Sequence, residues 1–288
     1  ETEIKIEAGS ESERKIELEP VKIIVEPVEP RDPDEVIAMP EGPARRSKLP
    51  LYIGGEDLFC VRKNATRTPG HFADWGVLDR RDLAKHRIRV VNCEQPTVIG
   101  GHAFTTGTIA RTSFERVLPN TMVQYFRRED GIGCDMPAEN AKAGGKPVQD
   151  LHIHEHGTCF NVKGRGLVVM SSCGHAGIIN TARQAMAVSG VKKLHAALGG
   201  FHLFPAADDY VARTVQEFKA LDPEVIIPMH CSGPTLVAML RTELADRIIT
   251  SATGTAPPYT HSRRRRSADC EASTSAVSVP SAASSAAM

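Results

Sequence analysis

The chain has 288 residues, 41% of them hydrophobic and 24% charged, a balance that excludes fibrous and wholly disordered classes and leaves length for one large domain or two small ones. Its 35 basic and 35 acidic residues cancel, so no global field exists to hold nucleic acid or an anionic membrane, and no run of about 18 apolar residues or signal-like amino end occurs. Seven cysteines form an odd set without a C-x-x-C pair, which disfavours both a disulfide framework and a thiolate zinc finger and points to reduced thiols in a cytoplasmic setting.

Residues 1–47 are acidic and broken by prolines such as Pro20, Pro27, Pro30 and Pro33, so they are expected to form a tail outside any packed core. The folded domain is expected over 48–258. Its first half opens with a strand at Leu49-Pro-Leu-Tyr-Ile running into Gly54-Gly55, followed by a helix over 78–85, a strand over 88–92 and a long irregular excursion from Gly131 to Lys146. The glycines of Val162-Lys-Gly-Arg-Gly mark a hairpin, and the apolar run 166–171 a buried strand. Apolar residues at helical spacing (Ile178, Ile179, Ala182, Ala185, Met186) predict a helix closed by Gly190. A strand at 194–198, a helix through Val211, Val215 and Phe218, a strand at 224–229, a helix over 234–244 and a closing strand at 247–252 complete the pattern. Alternating strands and helices of this kind specify a layered α/β fold. From 259 to 288, four arginines (Arg263 to Arg266) lead into serine and alanine, again a tail without a core, and the arginine cluster is a solvated run.

Three of these strands run directly into a histidine: His175, His202 and His230. Strand geometry fixes position while the following loop leaves the side chain free, and three imidazoles converging there suit zinc or a similar borderline ion. In Leu151-His-Ile-His-Glu-His, strand alternation would place His152, His154 and His156 on one face. The cluster is not H-x-H-x-D-H, because Glu155 follows His154 at once; Glu155 and His154 remain open as single ligands. Cys173 and Cys231 each lie within two residues of a candidate ligand and make a thiol nucleophile conceivable, with packing under a loop the plainer role. No phosphate loop, dinucleotide fingerprint or G-x-S-x-G elbow is present, and nothing interleaves aromatic with basic side chains for nucleic acid.

In order, Ser172-Cys-Gly-His-Ala-Gly-Ile, Gly199-Gly-Phe-His-Leu and Pro228-Met-His-Cys-Ser-Gly resemble the C-S-H-P-G-I, G-G-F-H-L and P-x-H-C-T-G motifs of the metallo-β-lactamase-fold hydrolases, in the branch that includes the dihydropterin-ribofuranosylaminobenzene phosphate synthase type. The resemblance covers roughly residues 48–255, more weakly upstream through Leu49 to Asp57 and Gly101 to Gly107. It implies an αββα sandwich, incomplete at its amino-terminal part, with a metal site at one edge of the sheets. His175 and His230 would act at the metal, His202 in or beside its coordination sphere, and Glu155 or His154 near another ligand position; the ion would be zinc, or else manganese or iron. The implied chemistry is a metal-activated water attacking an ester, phosphodiester or amide-like bond of a small-molecule substrate.

The family's H-x-H-x-D-H motif occurs nowhere in the sequence, which removes up to four ligating side chains. A truncated or frame-shifted copy, or a degenerate homologue, hydrolysing poorly, is therefore expected. The alternatives are a non-catalytic module that keeps the fold and a thiol enzyme using Cys173 or Cys231. Substrate and oligomeric state are not written in the sequence.

Overall fold

A computed structural model describes residues 49–66, 68–118, 121–134 and 145–251. The expectations for the tails 1–47 and 259–288, and for the middle of the 131–146 excursion, fall outside these residues. The strands are β1 (Leu49–Ile53), β2 (Val61–Ala65), β3 (Phe72–Gly76), β4 (Ile88–Asn92), β5 (Val98–Ile99), β6 (Ala103–Thr105), β7 (Thr121–Gln124), β8 (Val148–Gln149), β9 (Thr158–Val162), β10 (Gly166–Ser171), β11 (Leu194–Gly200) and β12 (Val225–Met229). The helices are α1 (Arg80–Lys85), α2 (Ile178–Ser189), α3 (Asp208–Leu221) and α4 (Pro234–Glu243).

A six-stranded sheet runs β12-β11-β10-β9-β6-β5. Within it β10, β11 and β12 are parallel neighbours, and β9 pairs antiparallel with β10 through the hairpin expected at 162–166. The helices between the parallel strands bury the stripes that their spacing announces: Ile178, Ile179, Ala182 and Ala185 on α2, Val211, Val215 and Phe218 on α3, Leu236 and Leu240 on α4. These side chains pack with Phe201, Ile226 and Leu167 into two adjoining cores, each large apolar group contributing about 1.5–3 kcal/mol by leaving water. Gly190 ends α2 in the left-handed region at φ 70°, a conformation open to glycine at no steric cost. Asp208 and Asp209 occupy the first turn of α3, where the helix dipole favours negative charge.

The remaining strands make a four-stranded sheet, β3-β2-β7-β8, and a parallel pair, β1 with β4. Asp79 caps α1, its side chain accepting from the Arg81 amide, so the helix starts two residues later than its apolar residues suggest. Ile53, Phe59, Leu83 and Val123 form the core of this half.

Three expectations are corrected. Residues 247–251 do not make a strand, a single bridge joining Ile248 to Ile226; residue 252 lies outside the described residues. The stretch 152–157 is a turn rather than a strand, with His152 in the left-handed region at φ 48°, so its three histidines do not share a strand face. Cys60 and Cys134 are joined in a disulfide that closes 74 residues, whereas Cys93, Cys159, Cys173 and Cys231 are free thiols as expected. A pairing over that distance leaves no trace in local spacing.

Candidate metal centre

Because β10, β11 and β12 are parallel, their carboxyl ends share one edge of the sheet. From that edge leave the loop 172–177 with Cys173 and His175, the segment Phe201-His202, and the turn His230-Cys231-Ser232. The amino end of antiparallel β9 comes to the same edge, where Thr158 pairs with Met170, and it delivers the turn 150–157. Open parallel sheets collect ligands at this edge.

Four imidazoles meet there. The His152 and His175 rings stack with centroids 3.7 Å apart and planes 9° apart, and His175 and His202 stand at 3.8 Å with a tilt of 36°. His154 is 5.8 Å from His152. Parallel rings cannot both aim in-plane lone pairs at one ion lying between them. His152 is moreover occupied: its Nε2 shares a 2.6 Å hydrogen bond with Thr121 Oγ1, and its backbone amide donates to Asp150. It is a stacking partner for His175. Burial, reinforced by neighbouring cationic or protonatable groups, pushes both His152 and His175 down to about 2, so both rings are neutral at ordinary pH.

His175 and His202 present a different picture. His175 Nδ1 and both ring nitrogens of His202 are shut off from water with no hydrogen-bond partner, an arrangement that costs free energy unless something pairs with them. Together with Cys173 they form a group whose donor atoms all lie within 4.8 Å of one another. Two nitrogens and one sulfur at that separation fit a zinc-like cation, which takes such donors at about 2.0–2.3 Å.

The other residues named from the sequence are placed as follows. His230 is exposed and at φ 48°, and its donor atoms group with Cys173 and Cys231 rather than with His175 and His202. His154 Nδ1 is 2.9 Å from both Asp57 Oδ2 and Arg62 Nη2. Glu155 is buried and accepts the backbone amide of Ala176; burial raises its pKa, opposed by the amides of Ala176, His175 and Gly174. It thus holds the 172–177 loop in place. Glu115, pushed up to about 7 by burial, does the same for the start of α2 by accepting from Ile179 and Asn180.

Spacing arguments do not reach Arg62, Asp57 and Asp150. The guanidinium meets Asp150 Oδ2 at 2.6 Å and Asp57 Oδ2 at 3.2 Å, with both carboxylates almost wholly buried. This ion network lies directly under His154 and His152. Only Asp57 stands within a segment that carries the resemblance, and nothing local links it to residues 62 and 150.

The neutral imidazoles make acid the chain's weak direction. His152 keeps an ordinary pKa of 6.5 when unfolded and about 2 when folded, so between those values the unfolded state binds more protons and stability falls as pH falls. At pH 5 the loss is about 2 kcal/mol for this one ring, and Glu115, raised from 4.5 to about 7, opposes it by about as much between those values. The ring is therefore read by difference: in denaturant unfolding of the metal-free chain between pH 7.5 and pH 5, the pH slope of His152→Gln should fall below that of the unsubstituted chain by about one proton. Equal slopes in both proteins would contradict the assignment.

No family model matches the chain. Among curated proteins it is 35% identical over 89 residues to the 7,8-dihydropterin-6-methyl-4-(beta-D-ribofuranosyl)-aminobenzene-5'-phosphate synthase of Methanocaldococcus jannaschii, spanning 31% of this chain and 30% of that protein. It is 41% identical over 66 residues to an uncharacterized protein of the same organism, 23% of this chain and 24% of that one. The chain therefore matches less than a third of the length of either relative. Among solved structures it is similar to a metal-dependent hydrolase of the beta-lactamase superfamily, with a TM-score of 0.57 and 21% identity, over 73% of this chain and 70% of the other. The parallel β10-β11-β12 edge, the histidines that leave it and this structural match agree: the chain has the metallo-β-lactamase fold, and part of it resembles the dihydropterin-ribofuranosylaminobenzene phosphate synthase branch.

Proposed function

We propose that the chain is a metal-dependent hydrolase by descent, acting on a small-molecule ester, phosphodiester or amide-like bond and retaining a reduced metal site. The observation that carries this reading is the pair His175 and His202, with buried ring nitrogens that lack partners beside the Cys173 sulfur. Zinc or iron suits these donors, with manganese disfavoured by the sulfur. When bound, such an ion lowers the pKa of a coordinated water and stabilises developing negative charge on an oxygen.

The chain's own residues do the rest. Glu155 and Glu115 fix the backbone that presents His175, and stacking on His152 sets the plane of its ring. A cavity of about 230 Å³ beside them, lined by Ile109, Arg111, Leu151, Ile153 and Glu155 among others, is of a size for a small substrate: apolar walls for its body and a guanidinium for a negative group. A cytoplasmic setting and the absence of nucleic-acid or membrane partners belong to the same reading. The match to a synthase supports a second reading, in which the same edge serves group transfer.

The test is metal content together with turnover. Purified chain dialysed against zinc should retain about one ion at this histidine pair, lost in His175→Ala and His202→Ala. Because H-x-H-x-D-H is missing, hydrolysis of a generic phosphodiester should stay below the ordinary enzymatic range of about 1–1,000 per second. Metal retention unchanged by both substitutions would overturn the site. Turnover within that range, abolished by His175→Ala, would overturn the expectation of weak activity.

A further inference from the structure

We propose that the second face of the six-stranded sheet, the one turned away from the helices, is an interface with another copy of this chain, two such sheets packing face to face about a two-fold axis. The pairing register sorts the side chains of β9 to β12 onto two faces. On one, Val169, Ala197 and Ile226 lie in the cores built with α2, α3 and α4. On the other, one row across the sheet holds Phe160, Val168 and Ala196, and the next holds Met170, Leu198 and Ile227. None of these six belongs to any of the three apolar cores among the described residues. Ala196 and Ile227 are buried, but Phe160, Val168 and Leu198 are only half-buried and Met170 is 39% exposed. Parallel strands occur with both faces covered, and β10, β11 and β12 are accordingly apolar on both.

A second copy suits that face by charge and by area. None of the six side chains carries a charge, so a two-fold axis sets no like charges against each other and the patch is complementary to itself. A charge-poor centre with phenylalanine and methionine is also the composition of interface cores. At about 4.8 Å between strands and 3.3 Å per residue, six strands of this length present a flat footprint of roughly 450 Å². The accessible area of a face covered with side chains exceeds its footprint, and a pair of faces would bury on the order of 1,000 Å², the size at which specific interfaces begin. That small area predicts a reversible dimer. Packed sheets lie about 10 Å apart with strands within about 30° of one another, an arrangement that asks no change of backbone from either copy. The interface uses no side chain of the metal centre and does not depend on the hydrolase reading.

Sedimentation of the full chain across the micromolar range is the experiment. The mass should be that of two chains in concentrated solution and fall towards one on dilution. Met170→Lys sets an unpaired charge into the interface from each copy, and should weaken association by at least about 100-fold while leaving the circular dichroism of the chain unchanged. Trp75→Ser should leave association as it is: Trp75 is 59% exposed on β3, the outer strand of the four-stranded sheet, and marks the rival way of pairing, edge to edge. Should the lysine variant fail to fold, peroxide oxidation of Met170 in the unsubstituted chain, read by peptide mass, must be slower in concentrated than in dilute solution. A dimer that survives Met170→Lys or is broken by Trp75→Ser, or an oxidation rate independent of concentration, would overturn the proposal. A chain that stays a monomer would overturn it as well, in favour of a cover supplied by the chain itself where Met170 then resists peroxide. None of these outcomes touches the His175–His202 reading, which rests on metal content.

Discussion

Replacing Arg62 by methionine should cost about 3–5 kcal/mol of folding stability. The guanidinium is 11% exposed, and its two carboxylate partners, Asp57 and Asp150, are 1% and 0% exposed. It also donates to the backbone oxygens of Asp57 and Leu58, at 2.7 Å and 3.1 Å. Methionine fills a similar volume but leaves two desolvated carboxylates facing each other without a cation, and one Asp57 oxygen already lacks a hydrogen-bond partner. Arg62→Lys should recover only part of the loss, because an ammonium cannot span two carboxylates as the planar fork does. Urea midpoints of the three proteins at pH 7.5 provide the measurement. A loss under about 1 kcal/mol for the methionine variant would show the network to be worth no more than a surface ion pair.

The second large effect belongs to the disulfide. Joining Cys60 to Cys134 closes a loop of 74 residues, and the chain-entropy model assigns about 4 kcal/mol to a loop of that length. Both cysteines are 1% exposed within the core formed by Phe59, Leu83 and Val123. The double variant Cys60→Ala with Cys134→Ala keeps that core apolar and isolates the effect of the cross-link, and it should unfold at a correspondingly lower denaturant concentration. A stability within about 1 kcal/mol of the unsubstituted chain would refute it. The bond also pulls against the cytoplasmic expectation, since disulfides persist where the surroundings are oxidising. Alkylating the protein at the moment of cell lysis and locating the modified cysteines by mass decides whether 60 and 134 are joined where the chain resides.

What the sequence makes legible follows from how local each signal is. The order of elements from β9 to α4 comes through because each carries its own periodicity, with Gly190 and Asp222 closing two of the helices, and three apolar runs that each lead into a histidine mark the edge by residue order alone. The His175 and His202 rings lie 3.8 Å apart at that edge, and the donor atoms of His230 group with Cys173 and Cys231, Cys173 being common to both groups. The first half is harder to read. β5 and β8 have two residues each, too short for alternation to register. Arg62 finds Asp150 across 88 positions, and only the folded chain brings them together. The turn at 152–157 reads as a strand since three alternating histidines mimic the period of one, while the left-handed backbone of His152 has no signature in composition.

That backbone has a bearing on how such a chain changes over generations. Among the described residues, five other than glycine have positive φ, and three of them are the histidines His152, His202 and His230. Glycine at any of these positions would relieve the strain, so random mutation screened only for heat resistance should drift towards it there. A lineage in which all three remain histidine is being held in place by something other than the fold. Their loss in a stabilised descendant would mark the point at which the site had ceased to matter.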